Sequence, residues 1–294
     1  KILQNTNEEE LLKSNNGVEN DTYSVIFVAA ESKVTERKLF TDINTYAKPI
    51  GKKELVMLSE TNGFYKIAQK MAREKKPFHS DLYYMDSTAL PDKAAAITTL
   101  HHMSVMVEKI CQANDMAWNK QVKQSQAELD KGYALCTNVL GEFFSKIDAY
   151  KFAISKFAPG EKPTYISGLR NKQDSKKWGL LFKPLPQLAL LNAILLLTGE
   201  NGGDLDKRQI FNTINDIDWS YDKGSQFQNM VITPEANILT GSKIHDRLMY
   251  MICFWILGEK KFIKVIGQKE FDTLNSDYQE VNITDDNLPK YKKK

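Results

Sequence analysis

The stretch Leu129-Asp130-Lys131-Gly132-Tyr133-Ala134-Leu135-Cys136-Thr137-Asn138-Val139-Leu140-Gly141-Glu142-Phe143-Phe144-Ser145-Lys146-Ile147-Asp148-Ala149-Tyr150 decides the fold class. Its positions Leu129, Tyr133, Cys136, Leu140, Phe143, Ile147 and Tyr150 advance by alternating steps of four and three. That rhythm draws a narrow seam along a helix, at about 3.5 residues per turn. A second seam lies upstream, through Ile97, Leu100, Ser104, Val107 and Cys111. A loop near 112–120 joins the two, which predicts an antiparallel helical hairpin. A dimerising coiled coil is the sharper alternative and would make the protein a homo-oligomer. Packing within one chain is the commoner outcome.

Outward from the hairpin, helical spacing continues. Toward the C-terminus, the pattern predicts helices over 178–198, 207–214 and 243–257. Pro184 and Pro186 stand near the start of the first and Gly199 at its end, with Ser242 as cap of the last and Gly258 as its stop. Toward the N-terminus, helices are expected over 32–47, 53–59 and 63–74; Pro49 closes the first, because the residue before a proline is pushed out of helical geometry. Residues 23–30, rich in β-branched and aromatic side chains, are the one convincing strand. Tyr83, Tyr84 and Met85 form a second, short candidate within a loop over 77–91. The expected architecture is α+β and predominantly α-helical. A flexible connector covers 1–21, a partial mixed α/β module 22–90, a large helical domain 91–258, and an extension with a fraying basic tail 259–294. The polar start, opening on Lys1, reads as a connector whose native N-terminus lies upstream.

Composition excludes several classes. The chain has 294 residues, 42% hydrophobic and 26% charged, as a globular protein with a sizeable core requires. Its two most apolar runs, 188–197 and 248–257, are about half the ~20 residues that cross a bilayer, so no membrane partner is expected. Cys111, Cys136 and Cys253 are odd in number, widely spaced and set in apolar helical surroundings. They read as reduced, buried thiols, and no CxxC pair supports a zinc or iron–sulfur site. No HExxH, GxSxG, GxGxxG or complete P-loop occurs; Thr240-Gly241-Ser242-Lys243 lacks the upstream glycine. His101 and His102 are adjacent, about 100° apart on a helix, and cannot share a metal unaided. Asp216, Asp218 and Asp222 read as turn and cap residues before ion ligands. No resident metal or cofactor is expected.

Net charge is +3, yet between Lys33 and Lys76 eleven Lys/Arg face five Asp/Glu. A basic stretch on a near-neutral chain is a polyanion footprint, with solvated helix faces as the plainer reading.

Within that stretch runs Arg37-Lys38-Leu39-Phe40-Thr41-Asp42-Ile43-Asn44-Thr45-Tyr46-Ala47-Lys48-Pro49-Ile50-Gly51-Lys52, directly after the strand. Further on come Gly168-Leu169-Arg170, then Asp216-Ile217-Asp218-Trp219-Ser220. Last comes Ile238-Leu239-Thr240-Gly241-Ser242, opening an apolar helix that ends in Leu257-Gly258. In order and spacing these blocks resemble the DndB (DGQHR-type) family, from about residue 22 to 258. The family's upstream Asp-Gly-Gln-His-Arg signature is not in the chain. The resemblance implies a cytoplasmic, DNA-binding transcriptional regulator of the genes for DNA phosphorothioate modification, with double-stranded DNA as partner and other DNA-modification proteins as further ones. It also implies a distant likeness to a ParB-type nucleotide-binding fold. On that comparison Asp42 and Asn44 lie near an NTP and its magnesium, the alternative reading as an NTPase. Being two apart, they diverge by about 200° on a regular helix, so only one faces a ligand.

Arg37, Lys38, Lys48, Lys52 and Lys53 surround that pair and are the first candidate phosphate contacts. Arg170, Lys172, Lys176 and Lys177, beside Trp178, are the second. Trp219 reads as core before base-stacking platform. A third reading makes the chain a non-catalytic partner that docks on the modification machinery through its helical hairpin.

Overall fold

The computed structural model of the chain describes residues 32–47, 62–116, 118–120, 122–171, 178–199, 205–222, 224–281 and 288–293. The predicted strand over 23–30 and helix over 53–59 lie outside them. Two compact units are distinguished, Lys1–Glu36 and Arg37–Lys294. Helix α1 runs Lys33–Ala47, as its spacing predicts. The rest of the description concerns the second unit.

Helix α2 (Gly63–Arg73) starts at Asn62, whose side chain accepts the amides of Phe64 at 3.0 Å and Tyr65 at 3.4 Å. It buries Phe64, Ile67, Ala68, Met71 and Ala72, one face at helical spacing. That face packs on α3 (Leu100–Gln112) and α4 (Gln126–Lys146), the two helices of the predicted hairpin, which also pack on each other. The Thr99 hydroxyl caps α3 through the His102 amide at 2.9 Å. Ser125 and Glu128 form a reciprocal capping box on α4. Gly132 lets α4 come close: a Cβ there would stand 2.6 Å from Trp118 and 2.9 Å from Ile67. Between the helices Cys111 and Cys136 touch, sulfur to sulfur, at 3.8 Å. Together with Cys253 they are free and buried, as read from the sequence.

The α4 seam does not continue unbroken to Tyr150. The chain leaves helical geometry at Ile147 and restarts as α5 (Asp148–Ser155). Asn215 bridges the break, accepting the Asp148 amide at 2.9 Å and donating to the Lys146 carbonyl at 2.9 Å. Ile147 and Tyr150 stay buried, so the seam is kept while the helix is not.

Strand β1 (Tyr83–Tyr84) pairs in parallel with β2 (Thr98–Thr99), Tyr83 opposite Thr98 and Tyr84 opposite Thr99. The first was anticipated; the second, two threonines ahead of a helix, carries no period to read. Helix α6 (Tyr165–Arg170) is followed by a 3₁₀ turn over Gly179–Phe182 and α7 (Pro184–Thr198). A single helix over 178–198 was expected. Lys183 is extended instead, and Pro184 opens α7 at its first position, where a missing N–H costs nothing. α7 buries Pro186, Gln187, Ala189, Leu190, Leu191, Ala193, Ile194 and Leu197, and packs on α3 and on α9 (Ser242–Leu257). It is the central helix. α8 (Lys207–Asp216) is capped by Asp206, which accepts the Arg208 amide at 2.9 Å.

Two terminal expectations change. Ser242 is the first helical residue of α9 and makes no cap bond; Gly241 holds the cap position. Past Gly258, α10 (Glu259–Val265) and α11 (Gln268–Val281) fold back on α9. The tail does not fray at Lys292 and Lys293. The Lys292 carbonyl accepts the Asp218 amide at 3.0 Å, the Lys292 amide donates to Gln226 at 2.6 Å, and Trp255 donates to the Pro289 carbonyl at 2.9 Å. The chain is thus helical in bulk with one small parallel strand pair among the described residues. No described helix is long and apolar enough to cross a membrane.

Arg170 ties these parts together. Its side chain is fully buried and donates to the carbonyls of Phe182 at 2.9 Å, Pro91 at 3.0 Å and Ala94 at 2.7 Å, and also to that of Ala96. It also donates to the Asp92 carbonyl at 3.4 Å. Replacing Arg170 by methionine removes the side-chain donor from five backbone acceptors, of which Pro91 alone keeps a second bond among the described residues, from the Ala94 amide at 3.0 Å. Arg170→Met is expected to cost about 3 kcal/mol or more in urea unfolding. Arg170→Lys is expected to restore little, because one ammonium cannot span the fork. A methionine variant as stable as the parent would refute this role.

Candidate nucleic-acid interface

The first predicted basic cluster begins on α1. Ser32 precedes the helix, and its hydroxyl accepts the Thr35 amide at 3.2 Å. Lys33, Arg37 and Lys38 are exposed, the first two four residues apart and so on one face. The Thr41 hydroxyl donates to the Arg37 carbonyl at 2.8 Å, holding that turn. Asp42 and Asn44 lie two positions apart on α1, and their side chains fall outside the described residues. So do Lys48, Lys52 and Lys53.

The second cluster is not brought together. Lys172, Lys176 and Lys177 lie outside the described residues. Arg170 is in the core and not on the surface, its guanidinium surrounded by carbonyl oxygens, and it is corrected from phosphate contact to structural tie. Burial lowers its pKa to about 10, with Asp92 and Tyr221 opposing the fall. The Tyr221 hydroxyl donates to the Arg170 carbonyl at 2.6 Å, and Lys183 pairs with Asp92 at the rim. Trp178 packs against Phe152, ring centres 5.3 Å apart. Trp219 is core as read: it stacks on Phe227 at 5.4 Å and donates to the Ile214 carbonyl at 2.9 Å.

Of the acids singled out, Asp218 accepts the Ser220 amide at 3.1 Å in a turn, and Asp216 lies 3.4 Å from Lys293. Among the described residues no group of three His, Cys, Asp or Glu side chains is placed to hold a metal ion. Sequence reasoning missed Arg247. It is buried on α9 and donates to Asp277 at 3.3 Å and to the Met230 carbonyl at 3.1 Å. Burial raises the Asp277 pKa, but Lys243 at 3.0 Å and Arg247 outweigh it, and the carboxyl sits below its usual range. No local sequence signal marked that pair, whose members lie thirty residues apart.

A cavity of about 890 Å³ opens where α3 and α7 end beside α9, lined among others by Lys109, Asn114, Asp115, Asn192, Thr198 and Tyr250. Under its α7 wall Asn192 meets His245 at 3.1 Å, and His245 meets Asp246 at 2.8 Å. His102 lies deeper, on α3, with its Nε2 buried and without a hydrogen-bond partner. Burial is the main cause that lowers its pKa to about 3, with smaller contributions from His101 and His245. Two of the thiols are likewise held in their uncharged form. Burial pushes Cys253 up to about 12, and the hydrogen bond to Cys111 together with burial raises Cys136 well above its ordinary value.

A family model described as DndB, DNA-sulfur modification-associated, matches residues 8–252. No curated protein and no solved structure matches the chain.

The His102 environment sets a pH dependence. Unfolded, His102 takes up a proton near pH 6.5, whereas the folded chain resists it to about pH 3. The unfolded state therefore binds more protons between these values, and stability falls as pH drops through that window. From pH 7 to pH 5 the loss from this group is about 2 kcal/mol. His102→Gln is expected to flatten the stability-versus-pH curve by that amount in denaturant titrations. Equal slopes for variant and parent would show that His102 is not held neutral.

Proposed function

The chain belongs to the DndB family of DNA-sulfur modification-associated proteins, and from that membership we propose that it is a DNA-binding transcriptional regulator of the phosphorothioate modification genes, acting in the cytoplasm. The family match carries the proposal, because it takes in the whole basic stretch between Lys33 and Lys76. The exposure of Lys33, Arg37 and Lys38 along α1 supports it. Duplex DNA presents one charge per about 1.7 Å of axis, and each phosphate neutralised by a lysine or arginine releases condensed counterions. Exposed cations along a helix are suited to meet that lattice. Such contacts supply affinity and orientation, and sequence selection comes from other groups that reach base edges. Other modification proteins and a second copy of the chain are further partners in this reading.

Fluorescence anisotropy of the full chain with labelled duplex, at a series of salt concentrations, tests the proposal. The parent is expected to bind with affinity falling steeply as salt rises. Arg37→Gln with Lys38→Gln is expected to bind about tenfold more weakly and to reduce the log–log salt slope by about 1.8. Absence of salt-sensitive binding by the parent would overturn the DNA-binding reading. An unchanged double variant would remove α1 from the interface.

A further inference from the structure

Helices α9, α10 and α11 pack against one another pairwise. Phe262 is fully buried at their centre, its ring 6.2 Å from those of Tyr250, Phe254 and Phe271. Leu274 and Tyr278 complete the inward face of α11. This cluster contains α10, a turn at Ile266-Gly267, and α11. The turn is tight because Gly267 adopts φ 135°, a conformation L side chains rarely enter. A seven-residue helix, a glycine turn and a fourteen-residue helix on a third supporting helix make a helix-turn-helix arrangement. The lone sequence cue was the inward series Phe262, Phe271, Leu274 and Tyr278.

The outward face is charged to suit one partner. From Gly258 to Lys269 there are four lysines and one carboxylate, Glu259. Lys260, Lys261, Lys264 and Lys269 are all exposed, and none forms an ion pair among the described residues. On α11 the exposed positions continue with Asp272, Thr273, Ser276 and Gln279, short or amide side chains along one face. Of the four acids of this helix, Asp272 accepts from Gln268 at 2.7 Å and Asp277 is held by Lys243 and Arg247; Glu270 and Glu280 are the other two. Basic side chains on the first helix and hydrogen-bonding side chains on the second are the division that major-groove reading requires.

We propose that α10 and α11 form a DNA-reading helix-turn-helix, with Lys260, Lys261 and Lys264 on phosphates and α11 presenting Gln268, Lys269 and Thr273 to base edges. This rests on the DNA-binding reading above and names the element that gives it sequence preference. The unit lies beyond residue 252, where the family match ends, so this assignment does not follow from the match itself.

The test uses the full chain and two sets of labelled duplexes, one tiled across the DNA upstream of its own gene and one scrambled. Lys260→Gln, Lys261→Gln and Lys264→Gln combined are expected to weaken binding to both sets about tenfold or more and to flatten the salt slope by up to about 2.7. Gln268→Ala with Thr273→Ala is expected to weaken the preferred upstream duplex about tenfold while leaving the scrambled one unchanged. All five positions are exposed, so melting temperatures should stay at the parent value. A parent that prefers an upstream duplex, with both variants indistinguishable from it, would overturn the helix-turn-helix and leave DNA binding intact. A lysine variant that weakens while the α11 variant keeps full preference would overturn reading by α11. A parent that binds neither set would remove the underlying reading and this one together.

Discussion

A single cation inside the protein, Arg170, sets the path of much of the chain around it. An ion moved into a poorly polarisable interior loses hydration that costs several kcal/mol unless every donor finds an acceptor. Here the acceptors are main-chain carbonyls from the 91–96 loop and from Phe182, with no carboxylate among them. The 91–96 loop has no helix or strand of its own, and of its carbonyls only that of Pro91 accepts from another backbone donor among the described residues, the Ala94 amide at 3.0 Å. The guanidinium therefore solves two problems with one set of bonds: its own desolvation and theirs. It also fixes where β2 begins, because the loop it holds delivers the chain from β1 to Ile97 and α3.

With that loop placed, α7 can be central. Gln187 reaches from α7 to the carbonyls of Ile97 at 3.1 Å and Leu181 at 3.0 Å, and Tyr150 donates to the same Leu181 carbonyl at 2.6 Å. Three segments are thereby pinned to a helix whose other side chains, Asn192 and Thr198 apart, are hydrophobic. Polar groups inside such a core are held by backbone and by one another, and their titration is displaced from neutrality. His102, Cys136 and Cys253 all favour their uncharged forms. The interior is a scaffold.

How much of this was legible follows from distance along the chain. α2, α8 and α9 were placed within about two residues, because apolar spacing and end residues are local signals. The break at Ile147 was not, because Asn215, which stabilises it, sits more than sixty residues away. Arg170 looked like any basic residue beside Lys172 and Lys176. Only the tertiary fold gathers the carbonyls that distinguish it. Lys292 and Lys293 looked like a solvated tail for the same reason: their partners, Asp218 and Gln226 for the first and Asp216 for the second, are remote. The residues whose role was misread are those whose partners lie far along the chain, which no local residue-type pattern encodes.

The same reasoning explains how a chain with net charge +3 can present a basic surface. At physiological salt, charges more than about 8 Å apart are largely screened, so net charge matters less than local segregation. Four of the acids are committed to scaffold lysines and arginines: Asp130 to Lys70, Asp92 to Lys183, Glu142 to Lys207, Asp277 to Lys243 and Arg247. Each such pair cancels a cation that belongs to the fold. Lys260, Lys261 and Lys264 form no such pair among the described residues. Pairing inside the scaffold is thus what concentrates positive charge at its edge, even though exposed pairs of this kind contribute little to stability.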